Sequence, residues 1–150
     1  MLNYRRVEVL DYNSEDLFRL VIDVENYPKF VPWCVGARVL EKYQNILKAE
    51  LLVKFKGITY KYVSIIEFSE FTLISIKQYS GPFAHLNSNW QFTELGLSQT
   101  KLELEIDFSF KSFLLNKLSK IFFVTVSKKM TDAFISRAED LYSSKTPLKI

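Results

Sequence analysis

Residues 101–110 alternate without a break. Leu102, Leu104, Ile106, Phe108 and Phe110 fall on one side, and Lys101, Glu103, Glu105, Asp107 and Ser109 on the other. Successive side chains of a strand point to opposite faces, so this segment is a strand with one covered face and one wet face. Such strands belong to antiparallel sheets, because parallel strands are buried on both faces and read as unbroken apolar runs. After Ser112 the period changes to about 3.6 residues. Leu114 or Leu115, Leu118, Phe122, Val126, Met130, Ala133 or Phe134, Arg137 and Leu141 form one stripe, and neither Gly nor Pro interrupts 113–143. A helix of that span is about 46 Å long. This switch of period is the strongest constraint on the fold: one long helix must cover the apolar face of an antiparallel sheet.

The rest of the chain supplies the sheet. In 46–55, Leu47, Ala49, Leu51, Val53 and Phe55 share a face against Lys48, Glu50 and Lys54. Tyr60, Tyr62, Ile66 and Phe68 share one in 58–68, and Leu86, Trp90 and Phe92 in 86–92. Turn signals at Lys56-Gly57, Ser69-Glu70, Ser80-Gly81-Pro82 and Leu95-Gly96 make these strands neighbours in a meander. Val7 and Val9 alternate with polar neighbours, so 3–11 is a first strand. Asn13-Ser14-Glu15-Asp16 starts a helix, with Asn13 or Ser14 as N-cap. Leu17, Phe18, Leu20, Val21 and Val24 recur at helical spacing until Pro28 and Pro32 end it. The order is strand, helices, six strands, long helix: an α+β fold in a single domain, 1–150.

Geometry then bears on function. Seven strands at ~4.8 Å spacing span roughly 34 Å, and a helix is only about 10 Å across. The sheet must therefore curl around the helix. A curled sheet leaves either an elongated apolar space or a solid core. Thirteen Phe, eight Tyr and two Trp supply the side chains that would line the one or fill the other.

Composition excludes much chemistry. His85 and Cys34 are the only residues of their kinds, so a Cys/His zinc site and an internal disulfide are both out. No GxxxxGK[ST] or GxGxxG is present. The densest apolar run, 121–126, falls far short of the ~20 residues of a membrane span. The N-terminus carries neither an apolar signal core nor an Arg/Ser-rich transit segment, which fits a reducing, cytoplasmic setting. A net charge of +3 permits contact with anionic lipid or RNA and argues for neither. DNA is not expected as a partner.

Three segments carry a family resemblance: Tyr27-Pro28-x-Phe30-Val31-Pro32-Trp33-Cys34; Gly81-Pro82-Phe83-x-x-Leu86-x-x-x-Trp90-x-Phe92; and Phe108-x-Phe110-Lys111-Ser112-x-Leu114 with Phe122-Phe123 and Met130-x-x-Ala133-Phe134-x-x-Arg137-Ala138. Together they resemble the helix-grip, START-like superfamily, in its coenzyme Q-binding and oligoketide-cyclase branch. The resemblance implies a curved sheet of about seven strands around a long C-terminal helix, with short helices after the first strand. It implies a hydrophobic tunnel holding ubiquinone or a similar isoprenoid lipid in support of respiration, with no catalytic cofactor. The same family includes a ribosome association toxin that binds the large ribosomal subunit, and polyketide cyclases. Pro32-Trp33-Cys34 and Phe122-Phe123 are similar to the quinone-binding type, whereas the toxin type tends to carry Gly where Trp33 stands. Gly81-Pro82-Phe83 is closer to the toxin type.

The expected ligand-binding set is Trp33, Leu51, Val53, Tyr62, Trp90, Phe92, Leu104, Ile106, Phe122, Val126 and Met130, with no catalytic or metal-binding residue. Several features keep two explanations. The 27–33 segment is a lid or a structural elbow, and Trp90 and Phe92 stack on a ring or pack the core. Arg137 pairs with an acid or reaches a ligand head group. Lys117, Lys120, Lys128 and Lys129 meet phosphates, at a membrane surface or on rRNA, or are simply solvated. His85 shares parity with Asn87 and Asn89, which places it on the outer face, and Cys34 is a small buried side chain rather than a nucleophile. Glu103, Glu105 and Asp107 belong to an exposed strand face. The chain is expected to work without catalysis, in the cytoplasm or peripherally at the inner membrane surface.

Overall fold

The computed structural model describes residues 2–55, 57–111 and 120–143. The strands are β1 (Leu2–Leu10), β2 (Cys34–Tyr43), β3 (Ile46–Phe55), β4 (Ile58–Ser69), β5 (Leu73–Ser80), β6 (Phe83–Gly96) and β7 (Gln99–Phe110). Helix α1 (Ser14–Ile22) and a 3-10 turn (Val24–Lys29) separate β1 from β2, and α2 (Lys120–Tyr142) follows β7. The strands form one antiparallel sheet in the order β1-β7-β6-β5-β4-β3-β2. This is the α+β architecture expected from the change of period. Residues 112–119, with Leu114, Leu115, Lys117 and Leu118 of the expected helix, lie outside the described residues, as does Lys56 of the expected turn.

Asn13 is the N-cap of α1: its Oδ1 accepts from the Asp16 backbone N–H at 2.8 Å. The helix stops at Ile22, earlier than Pro28 would require. Pro28 sits inside the 3-10 turn, and Val24 belongs to that turn rather than to α1. The buried Tyr27 hydroxyl donates to the Val21 carbonyl and so fixes the turn to the helix end. Leu17, Phe18, Leu20 and Val21 face the sheet and are buried there.

Leu102, Leu104, Ile106 and Phe108 of β7 point inward and are buried, as their alternation dictates. On β1 the inward parity belongs to Tyr4, Arg6 and Glu8, while Val7 and Val9 face solvent. Arg6 explains why a charge takes an inward position. Its guanidinium meets Asp132 of α2 at 2.7 Å and Glu8 at 2.9 Å, so the pair ties the first strand to the last helix.

The covered face of α2 differs from the expected stripe. Phe123, Ser127, Thr131, Phe134 and Ala138 are buried. Phe122 and Leu141, both assigned to the covered face, are 39% and 38% exposed. Hydroxyl residues hid the true face, because Ser and Thr do not register as core in a hydrophobic period. Thr131 is only 1% exposed, yet its Oγ1 donates to the Ser127 carbonyl at 2.8 Å, so its burial leaves no polar group unsatisfied.

Candidate functional site

A cavity of about 240 Å³ lies between the concave face of the sheet and α2. It occupies one end of the grip, because α1 fills the other. Its floor is Leu51 and Val53 of β3, Tyr62, Ser64 and Ile66 of β4, Ile76 of β5, Leu86, Ser88 and Trp90 of β6, and Ile106 of β7. Its roof is Val126, Met130 and Phe134 of α2, and its side wall is Tyr27 and the segment Val31-Pro32-Trp33-Cys34. The half-buried members Pro32, Trp33, Val53 and Val126 form the rim, and Tyr62, Ser64, Ile66, Trp90 and Phe134 are buried at depth.

Eight residues of the expected set line this cavity: Trp33, Leu51, Val53, Tyr62, Trp90, Ile106, Val126 and Met130. Three do not. Phe92 packs edge-on against Phe18 beneath α1, with ring centroids 5.9 Å apart. Leu104 is in solid core at 1% exposure. Phe122 lies outside the cavity against Phe55 of β3, centroids 5.0 Å apart, because α2 is turned relative to the expected stripe. The period gave no sign that α1 would fill half of the sheet's concavity.

Other lining residues escaped the sequence reasoning. Phe83 and Leu86 differ in parity, yet both reach the cavity, because a bulge between Phe83 and His85 shifts the phase of β6. The turn before it is held by Gln78, whose Nε2 donates to the Phe83 carbonyl at 2.9 Å while its Oε1 accepts from the Phe83 N–H at 3.3 Å. Gly81 leaves room for this bridge: a Cβ there would stand 2.6 Å from Gln78 Oε1 and 3.1 Å from the Tyr62 ring, so the Gln78 amide would have to shift. The Gly-Pro-Phe motif thus shapes the cavity wall. Trp33 adopts a left-handed backbone conformation, φ 66°, in which a bulky residue is strained.

No lining residue carries a formal charge at neutral pH. Burial pushes the Tyr27 and Tyr62 phenols well above their ordinary range. Burial also raises the Cys34 thiol, which is 3.5 Å from the Gly36 carbonyl as a weak donor. Cys34 is therefore a buried neutral thiol.

The remaining candidates lie elsewhere. Arg137 forms no ion pair among the described residues; its guanidinium stacks 5.4 Å from the Phe30 ring instead, and its Nε is buried without a hydrogen bond. His85 does not line the cavity. Glu103, Glu105 and Asp107 lie on the outer face, where Glu103 meets Lys101 at 3.6 Å and Asp107 accepts from Asn3. Lys120, Lys128 and Lys129 are exposed on α2, and Lys128 is 3.6 Å from Asp132. No group of acidic, His or Cys side chains among the described residues is arranged to hold a metal. No described helix is long and apolar enough to cross a membrane.

This architecture and its cavity define a class. The chain belongs to the family described as polyketide cyclase / dehydrase and lipid transport, which it matches over residues 10–135. It is 34% identical over 145 residues to the ribosome association toxin RatA of Rickettsia prowazekii, an alignment covering 94% of this chain and 99% of the relative. It is also 34% identical over 151 residues to the mitochondrial coenzyme Q-binding protein COQ10 homolog B of Xenopus laevis, covering 94% of this chain and 59% of the relative. Among solved structures, the ZhuI aromatase/cyclase from a Streptomyces species superposes with a TM-score of 0.85 over 97% of this chain and 98% of its own, at 16% identity. At that identity the likeness concerns the fold, which is the START-like helix grip.

Proposed function

We propose that this chain binds and releases an uncharged hydrophobic isoprenoid ligand, ubiquinone above all, in support of respiratory electron transport. The observation that carries this reading is a 240 Å³ cavity lined by apolar and neutral side chains alone. Drug-sized ligands occupy pockets of roughly 300–1,000 Å³, so the described cavity suits a ring and the first part of a tail, with the remainder passing the rim. The similarity to the coenzyme Q-binding relative supports the same reading. A carrier role follows from energetics. Burying a tail from water gains about 0.8 kcal/mol per CH₂, but a quinone leaves a bilayer rather than water, and that gain nearly cancels. Partition between protein and membrane then sits near balance, which permits release. Exchange would occur at a membrane surface, which the protein touches transiently. Organic extraction and mass spectrometry of protein purified from its native host tests this. A co-purifying polyprenyl quinone is expected, and its absence together with a different bound lipid would overturn the choice of ligand.

A second reading rests on the similarity to the ribosome association toxin. The exposed Lys120, Lys128 and Lys129 would then meet rRNA phosphates, and binding would weaken steeply with salt. Sucrose-gradient sedimentation at low and moderate salt decides it. Co-migration with the large subunit, lost on changing Lys128 and Lys129 to Glu, would place this reading first. A polyketide cyclase is the weakest reading, since cyclization needs acid–base groups and the cavity offers only neutral hydroxyls and a thiol.

A further inference from the structure

The deep end of the cavity contains hydroxyls that the fold does not use. Tyr62 is 7% exposed and Ser64 is 2% exposed. Both line the cavity, as does Ser88. Among the described residues no hydrogen bond reaches any of these three side chains, whereas the neighbouring Tyr27 hydroxyl is committed to the Val21 carbonyl. A hydroxyl that no protein group uses keeps its donor and its acceptor lone pairs for another molecule in the cavity. Buried Tyr62 and Ser64, with half-buried Ser88, are therefore a locus for a ligand's polar atoms.

The register shows how they are spread. Tyr62 and Ser64 alternate on the inward face of β4. Ser64 is opposite Gln78 of β5, and Ile76 of β5 is opposite Ser88 of β6. Two strand spacings and an offset of two residues put the backbones of Ser64 and Ser88 about 12 Å apart. Hydroxyls on opposite sides of that gap can bracket one six-membered ring. Trp90 and Phe134 meet edge to face at 5.0 Å at the same depth and supply flat apolar surface.

The lining also excludes ligands. It holds no Lys, Arg, His, Asp or Glu. A carboxylate or phosphate drawn to this depth would be an unpaired buried charge, which is strongly disfavoured. The hydroxyls remain protonated and so can donate.

We propose that the cavity selects an uncharged planar ring bearing carbonyl or ether oxygens, seated ring-first with its oxygens on Tyr62, Ser64 and Ser88 and its chain leaving past the rim. This rests on the cavity being a ligand site, and it adds which end enters and which lipids are refused.

The chain's two tryptophans, Trp33 and Trp90, both line the cavity, so their quenching reports occupancy directly. Three probes separate the possibilities: a dimethoxy-methyl-benzoquinone with one isoprene unit; prenylbenzene, which lacks the ring oxygens; and decanoate, which is apolar but charged. Displacement of the quinone reports the two probes that do not quench. The quinone should bind, and decanoate should not displace it. In Tyr62→Phe and in Ser64→Ala, quinone affinity should fall roughly three- to tenfold, while prenylbenzene affinity stays unchanged. If Tyr62→Phe fails to fold, Ser64→Ala and Ser88→Ala carry the comparison. Unchanged quinone affinity in folded variants, or displacement by decanoate as efficient as by prenylbenzene, would overturn the proposed selection and leave a non-selective apolar site. If neither neutral probe binds the wild-type protein, the ligand-site reading itself fails, and this inference with it.

Discussion

Trp90 of β6 meets Phe134 of α2 edge to face, with ring centroids 5.0 Å apart and planes at 63°. Phe134 also receives Tyr27 at 5.2 Å and Phe30 at 5.0 Å. One side chain of the last helix thus joins the sheet to the 3-10 turn and its C-cap at the inner end of the cavity. Such aromatic pairs contribute about 0.5–1.5 kcal/mol each beyond the area they bury.

Phe134 is 4% exposed, so a carboxylate in its place would be buried without a partner. Phe134→Asp should cost several kcal/mol. Urea unfolding reads this directly as a lower midpoint. A midpoint equal to that of the wild type would mean that this face of α2 does not touch the sheet.

The orientation of α2 can be read from two adjacent residues. Phe123 is 6% exposed and stacks on Phe108, centroids 5.1 Å apart at 11°. Phe122 is 39% exposed. Phe123→Ala should cost about 3–5 kcal/mol, and Phe122→Ala distinctly less. Equal losses, or the reverse order, would restore the orientation that hydrophobic period alone suggests.

That pair also shows what the sequence could reveal. The clean alternation in β7 made the sheet legible, because from Leu102 to Phe108 each inward position is apolar and each outward one polar. The rotation of α2 was not legible, because Ser127 and Thr131 occupy its buried face while Ile121 and Phe122 are exposed. The inward Arg6 was hidden for a related reason: its counterion, Asp132, is 126 residues away, and only the fold brings them within 2.7 Å. For the cavity, strand parity located Leu51, Val53, Tyr62, Trp90 and Ile106. It could not locate Phe83, since a bulge moved the phase, or remove Phe92, since α1 covers it.

Buried phenols make a prediction about alkaline pH. A tyrosine in the unfolded chain ionises near pH 10. In the fold, burial raises Tyr27 and Tyr62 above that. Between the unfolded and folded values the unfolded state binds fewer protons, so stability falls as pH rises. Each residue contributes up to about 1.4 kcal/mol per pH unit to that slope and nothing well below pH 10. Tyr62→Phe should make the alkaline limb of unfolding free energy against pH shallower. An unchanged limb would mean that Tyr62 ionises as freely in the fold as out of it.

Val53 provides the sharpest test of an open cavity against a filled core. It is half-buried at the rim, on the inward face of β3 and opposite Tyr60 of β4. An indole at this position must enter the space beneath α2. If that space is available to a ligand, the ring occupies it at small cost, and its apolar area adds favourable burial. If the neighbouring side chains can close over it, the same ring overpacks them and costs about 1–3 kcal/mol. Stability and ligand capacity therefore respond differently in the two cases. With an accessible cavity, Val53→Trp should keep the wild-type melting temperature while the amount of quinone retained per protein falls sharply, although no hydroxyl of the site has been altered. A destabilised variant, from a parent that never held quinone, would show that the aromatic-rich interior is core alone.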